Sequence, residues 1–318
     1  MQIKKGLFIL VLTLAFIGCK KKQNPKAKKQ VHHTKGKSTT QGYPAQAKDE
    51  RGKLIVLEKK PKRIVVGGTP LYTEIVIDLG AKDRLVGITN SSDNPPEAKG
   101  IPLVGPSWPL NIEKVLSLRP DLVLCAMAKF RDKLEKDAKM KVFTGGRKHG
   151  SLTSLQDIYT LITRLDTLLY GNQKRSQKLL KKLKAKLKAL SAKVDKKTTQ
   201  KVGIFYVPKE QSQRIYVTHS KSPAHELLQM AGGKNVFAEM KGSAASIELL
   251  LTKNPDIIIT DPKHVSRVYN HRSLKSLKAV KNKKVFGIRA SHYTSSRMDK
   301  VLKRLIRYLH PNQKKASK

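Results

Sequence analysis

The chain of 318 residues has little cysteine, tryptophan or acidic side chain, and each shortage narrows what it can be. Its two cysteines are Cys19 and Cys125, and Cys19 falls at the end of an N-terminal leader, so no disulfide framework can hold the folded part. Stability has to come from burial. Only 23 acidic residues face 66 lysines and arginines, a formal net charge of +43. Such an excess attracts polyanions, yet the alternation of aromatic and basic residues typical of single-strand binders is missing, and no nucleic-acid partner is expected. After the leader no apolar run is long enough for a transmembrane helix. Also missing are Gly-x-Ser-x-Gly, Gly-x-x-x-x-Gly-Lys-Ser/Thr and Gly-x-Gly-x-x-Gly. An α/β hydrolase-type enzyme is therefore a distant alternative, and no catalytic residue is assigned.

The leader itself is informative. Residues 7–18 form an apolar run after Lys4 and Lys5 and end in Phe16-Ile17-Gly18-Cys19. The run is too short to span a bilayer and reads as the core of a signal peptide covering residues 1–18. A small residue before Cys19 resembles bacterial lipoprotein signals and implies acylation of Cys19. The expected location is the cell envelope, extracytoplasmic or periplasmic, with the chain anchored by lipid. Residues 19–62 read as a disordered basic stalk, and its His32-His33 pair reads as solvated, not as a metal site. Residues 312–318 form a basic tail.

Beyond the stalk, short β-rich runs alternate with amphipathic stretches, which argues an α/β fold with mostly parallel sheets. Strands are expected near 64–66, 85–88, 122–125, 141–143, 202–207, 215–217, 257–260 and 285–288. Ile112-Glu113 precedes Pro120-Asp121 at the spacing by which Ile247-Glu248 precedes Pro255-Asp256, and Glu74, Gly80 and Lys82 share their spacing with Glu226, Gly232 and Lys234. These matches imply two similar lobes, 63–153 and 198–311. Between them, 154–197 carries leucines and isoleucines at helical intervals, with Ser154 and Asp157 as a capping pair. One long backbone helix is expected to join the lobes, although Gly171-Asn172 also permits two helices in series.

Several stretches resemble the extracytoplasmic binding proteins of ABC importers for cobalamin and iron complexes. They are Arg63-Ile-Val-Val-Gly-Gly-Thr-Pro-Leu-Tyr-Thr-Glu74, residues 79–89, Asp93-Asn-Pro-Pro-Glu-Ala98 and residues 111–124. In the second lobe, residues 227–237 and Ser246-Ile-Glu-Leu-Leu250 continue the match. The resemblance implies capture of a small metal-containing ligand and delivery to an ABC permease. It places the docking carboxylates at Glu74 and Glu248. Loops at the carboxyl ends of strands should hold the ligand, which brings forward Tyr72, Ser92, Trp108, Phe130, Arg147, His219, His292 and Tyr293. Trp108 is the lone tryptophan, and it reads equally as a stacking platform or as a plug in the lobe interior. The expected cargo is a cobalamin-like corrinoid. A ferric siderophore or haem is the alternative, and for haem His219 or His292 is the candidate axial ligand with Tyr72 or Tyr293 opposite. No resident cofactor or metal is assigned.

Overall fold

The structure, a computed structural model, describes residues 42–125, 128–146, 151–194 and 199–312. Its first half contains β1 (Ala45–Lys48), β2 (Leu54–Leu57), β3 (Ile64–Gly67), α1 (Pro70–Asp78), β4 (Leu85–Ile88), α2 (Ile112–Ser117), β5 (Leu122–Cys125), α3 (Ala128–Asp137) and β6 (Val142–Phe143). Strands β3 to β6 make a parallel sheet in the order β4-β3-β5-β6. The central strands read Ile-Val-Val-Gly and Leu-Val-Leu-Cys and are buried at every position, as expected for a parallel sheet covered on both faces. Helix α1 starts where Pro70 presets the backbone and the Thr69 hydroxyl accepts from the Leu71 N–H.

The fold begins earlier than the expected stalk boundary at residue 62. Strands β1 and β2 pair as an antiparallel hairpin. Tyr43, Ala45 and Ala47 alternate with exposed residues and are buried with Ile55 and Leu57, while the lysines point outward. This period of two carries the burial that a count of lysines conceals.

The periodic stretch after residue 154 divides into α4 (Leu155–Tyr170) and α5 (Lys174–Ala192). The Ser154 hydroxyl accepts from the Asp157 N–H, so the expected cap is present. Gly171 then stops α4 in the left-handed region at φ +68°, and its Cα lies against Gly42, so that a Cβ would sit 1.9 Å from the Gly42 carbonyl oxygen. The chain turns back at this point. Ser176 donates its N–H to Asp166 at 2.7 Å, and the Lys184 ammonium lies 4.7 Å from the Tyr159 ring centre, so sequence numbers rise along one helix as they fall along the other. The two helices are antiparallel. In place of one rod of about 60 Å, the return run to the second half is α5, about 28 Å long.

The second half contains β7 (Gln200–Tyr206), β8 (Arg214–Val217), α6 (Pro223–Met230), β9 (Gly233–Asn235), β10 (Ala244–Ser246), α7 (Ile247–Lys253), β11 (Ile257–Thr260), α8 (Val265–Asn270), α9 (Lys278–Lys281), β12 (Val285–Gly287), α10 (Ala290–Tyr293) and α11 (Asp299–Leu309). Its sheet is mixed. Strands β7, β11 and β12 are parallel, whereas β8 runs antiparallel to β7 and to β10. A continuous core passes from Ile64 and Val66 through Leu161, Leu165, Leu183 and Leu187 to Val202, Leu227 and Leu305, so α4 and α5 join the two lobes by packing as well as by sequence. Among the described residues no helix is long and apolar enough to cross a membrane.

Candidate functional site

The carboxyl ends of the two sheets meet. Asp93, beyond β4, receives a hydrogen bond from Arg289, beyond β12, and another from the Ser291 hydroxyl at 2.6 Å. Arg289 also donates to the Ser92 hydroxyl at 3.2 Å. The seam continues along the same segment. The Ser295 hydroxyl, the Ser296 N–H and the Ser296 hydroxyl all donate to one oxygen of Glu74, at 2.6 to 2.7 Å. Arg297 bonds Asp78 at 2.6 Å and Glu97 at 3.0 Å. Four carboxylates of a chain poor in acids thus fasten residues 289–297 to the first lobe. Charge-assisted bonds of this kind are the stronger ones.

Partial burial pushes the Asp93 carboxyl upward, but the bonds from Ser291 and Arg289 outweigh it and hold the group below the ordinary carboxylate range. A carboxyl depressed on folding stabilises fully above its unfolded value, about 3.9, and loses that contribution as pH falls through the folded value. Asp93→Asn should therefore lower the urea midpoint at pH 5 to 7, with the difference from the parent shrinking below about pH 4. An unchanged difference across that range counts against this role.

Beside the seam, a cavity of about 260 Å³ opens on the face of the second sheet. Tyr206 and Tyr216 are Cα partners across β7 and β8, and their rings stack at 5.1 Å and 17°. His264 stacks on Tyr206 at 5.6 Å. Burial, followed by the nearby Arg267, holds its imidazole below the ordinary value, so it is neutral near pH 7. Both tyrosines stay more than 40% exposed; with Tyr206 packed between Tyr216 and His264, the outer face of Tyr216 is the one left open. At the back of the cavity, the hydroxyls of Thr260 and Tyr293 are buried without a hydrogen-bond partner among the described residues. Asp261 is the charged side chain in the lining, which otherwise consists of apolar, tyrosyl and hydroxyl groups. The arrangement suits a flat, largely uncharged ligand that stacks on a ring and brings its own donors and acceptors.

The expected site residues divide. Tyr293 lies in the cavity wall, and burial raises its phenol above the ordinary value. Trp108 is 57% exposed with its ring centre 5.3 Å from Phe130, so it is a surface platform backed by a buried ring and not an interior plug. Ser92 and His292 line a second cavity of about 440 Å³ along the seam, where burial lowers the His292 imidazole. Tyr72 is a correction. It is 2% exposed, and its hydroxyl accepts from the Gly145 N–H inside the first lobe, because the first turn of α1 aims it at the core. His219 is a second correction. Strand β8 is antiparallel, so the turn after it runs back along β7, where Thr218 donates its N–H to Ile204, and the His219 Nδ1 accepts from the Lys221 N–H. Buried in this way, Tyr72 does not present its hydroxyl as an axial ligand for haem. Arg147 and Cys19 lie outside the described residues.

Glu74 is a third correction. The seam covers it, so it is not an open docking carboxylate. The residue related to Glu248 is Glu113. Asn111 caps α2 through the Lys114 N–H at 2.9 Å and Ser246 caps α7 through the Leu249 N–H at 3.2 Å, which leaves Glu113 and Glu248 at the same helical position, both exposed. The repeated Ile-Glu before Pro-Asp was the sequence signal for this pair. Tyr206 and Tyr216 lacked such a signal because their pairing depends on the β7–β8 register.

The periplasmic binding protein family profile matches residues 65–291. The chain is 28% identical over 297 residues to the uncharacterized ABC transporter substrate-binding lipoprotein YvrC of Bacillus subtilis, covering 91% of this chain and 90% of that protein. It is also 28% identical to the vitamin B12-binding protein of Vibrio parahaemolyticus, across 65% of this chain and 73% of that protein. The crystal structure of the periplasmic vitamin B12 binding protein BtuF of Vibrio cholerae superimposes with a TM-score of 0.62 at 23% identity, covering 80% of this chain and 98% of that one.

Proposed function

Because the chain belongs to the periplasmic binding protein family, we propose that it captures a cobalamin-like corrinoid outside the cytoplasm and hands it unaltered to an ABC permease. The family is one of carriers and not of enzymes, and a carrier needs complementary surfaces without a positioned nucleophile or general base. The observation that favours a corrinoid is the lining of the cavity, which at about 260 Å³ takes an edge of such a molecule and must widen between the lobes to take the rest. Stacked tyrosine faces, buried hydroxyls and a carboxylate suit a neutral macrocycle bearing amides, whereas a ferric siderophore or haem propionates would meet Asp261 without a lysine or arginine in the lining. Titrating the protein with cyanocobalamin, haem and a ferric siderophore while following Trp108 fluorescence tests this order. Saturable quenching by the corrinoid at micromolar levels is expected. Quenching by haem or the siderophore alone would transfer the assignment to that cargo.

Delivery rests on Glu113 and Glu248, one on each lobe, each at a helix start where the dipole favours a negative charge. The Glu248 carboxyl is held below its ordinary range by its own backbone N–H and by the Ser246 hydroxyl, so it stays ionised. Arginines of a permease are the natural partners. Glu113→Gln with Glu248→Gln should leave cargo affinity within about twofold while reducing permease ATPase stimulation by roughly tenfold or more. Full stimulation by the double variant would remove both residues from docking. Acylation of Cys19, ahead of the described fold, would keep the carrier at the membrane where that permease lies.

A further inference from the structure

Helix α5 carries seven lysines and one arginine and not one acidic residue. Ser176, Leu183 and Leu187 mark its buried stripe. At about 100° per residue, Lys174, Lys178, Lys181, Lys182 and Lys188 fall on the opposite face, and all five are exposed. The other two lysines turn elsewhere, Lys186 to Asp299 at 3.2 Å and Lys184 to the ring of Tyr159. The apolar side of α5 is already committed to the core, so this face cannot insert into anything. It offers charge alone.

The position of the face says what meets it. The described fold begins at Gly42, whose backbone lies against Gly171, and α5 starts immediately beyond, at Lys174. The Tyr43 hydroxyl fixes the same junction by donating to the Leu168 carbonyl at 3.0 Å. The segment leading back to Cys19 therefore joins the described fold beside the first turn of the lysine helix, and a chain of that length spans at most about 75 Å. We infer that the five-lysine face of α5 rests on the anionic phospholipid headgroups of the bilayer to which the chain is tethered. This inference rests on the reading of Cys19 as the anchor for its geometry, but its test does not. Lysines on a rigid helix give an attraction that adds over neighbouring phosphates and is screened by salt within a Debye length, about 8 Å at physiological ionic strength. The several acyl chains of a lipoprotein cysteine already hold the chain at the surface, so the basic face sets how the body lies on it.

The test uses the mature chain from residue 19 onward with Cys19→Ser, so that neither the apolar leader nor an acyl group contributes, and sedimentation with vesicles of equal parts phosphatidylglycerol and phosphatidylcholine. One variant changes Lys174, Lys178, Lys181, Lys182 and Lys188 to Gln. A control removes the same charge from exposed Lys209, Lys221, Lys234, Lys241 and Lys275 of the second lobe. The expected result is a loss of about tenfold or more in vesicle affinity for the α5 variant and less than about threefold for the control. Binding of the Cys19→Ser parent should also fall steeply between about 50 and 300 mM salt and be absent on pure phosphatidylcholine. Equal losses in the two variants, including no loss in either, would overturn the inference and assign any binding to diffuse net charge. Cyanocobalamin titration and urea unfolding of both variants, expected to be unchanged, separate a failure of this face from a failure of the carrier reading.

Discussion

Tyr206→Ala should weaken cyanocobalamin binding by roughly 10- to 100-fold, the consequence of collapsing a stack whose open aromatic face is worth about 1–3 kcal/mol to a flat ligand. The position of the ring sets the ranking among variants. Tyr206 lies between Tyr216 at 5.1 Å and His264 at 5.6 Å, so its loss also removes the support of both neighbours. Tyr216→Ala removes the ring that offers the open face and should cost at least as much, and the double change should cost less than the sum of the two because the residues share a contact. Tyr206→Phe keeps the ring face and should stay within about threefold of the parent. Isothermal titration of the four proteins checks the ranking, and Tyr206→Ala binding with parental affinity would place the cargo elsewhere.

Gly171→Ala should lower unfolding stability by about 3–5 kcal/mol, a large effect for one added methyl group. Two causes combine. A side chain in the left-handed region costs roughly 1–2 kcal/mol. The new Cβ would also sit 1.9 Å from the Gly42 carbonyl oxygen, a backbone atom that cannot rotate away, so the β1–β2 hairpin must lift from the end of α4 and take Tyr43 with it. Gly52 separates the two causes. Its φ is +82° and nothing lies within 4 Å of its missing Cβ, so Gly52→Ala should show the conformational strain alone, about 1 kcal/mol. Urea denaturation of the two variants measures the difference. Similar losses would mean that the Gly42 contact adds nothing.

The parts of the fold legible in the sequence were those whose signal is local. Ile64 to Gly67, Leu122 to Cys125 and Ile257 to Thr260 are apolar runs bounded by turns, and each is a central parallel strand. The β1–β2 hairpin was hidden because its buried residues are small or widely spaced among lysines, a pattern that composition averages away. Strand β8 looked like any other short strand, and nothing within Arg214 to Val217 reveals that it runs antiparallel. That reversal moved His219 off the site and brought Tyr216 onto it. Glu74 was misplaced for a similar reason. Whether a helical carboxylate is open depends on what covers it, and its cover, Ser295 and Ser296, lies more than two hundred residues along the chain. The Glu113 and Glu248 pair was visible all along as a repeat, since duplicated lobes place duplicated residues in matching positions.

Residues 289–297 face two ways, with Ala290 and Tyr293 in the wall of the chamber and Arg289, Ser291, Ser295, Ser296 and Arg297 gripping the opposite half. Prising the halves apart must either snap that grip or peel the wall from its own sheet. If the proposed cargo fills the chamber, it would brace the wall against the second route, and a loaded carrier would be harder to open than an empty one without any contact bridging occupant and grip. Unloading would then be mechanical work performed on the clasp by whatever holds both halves.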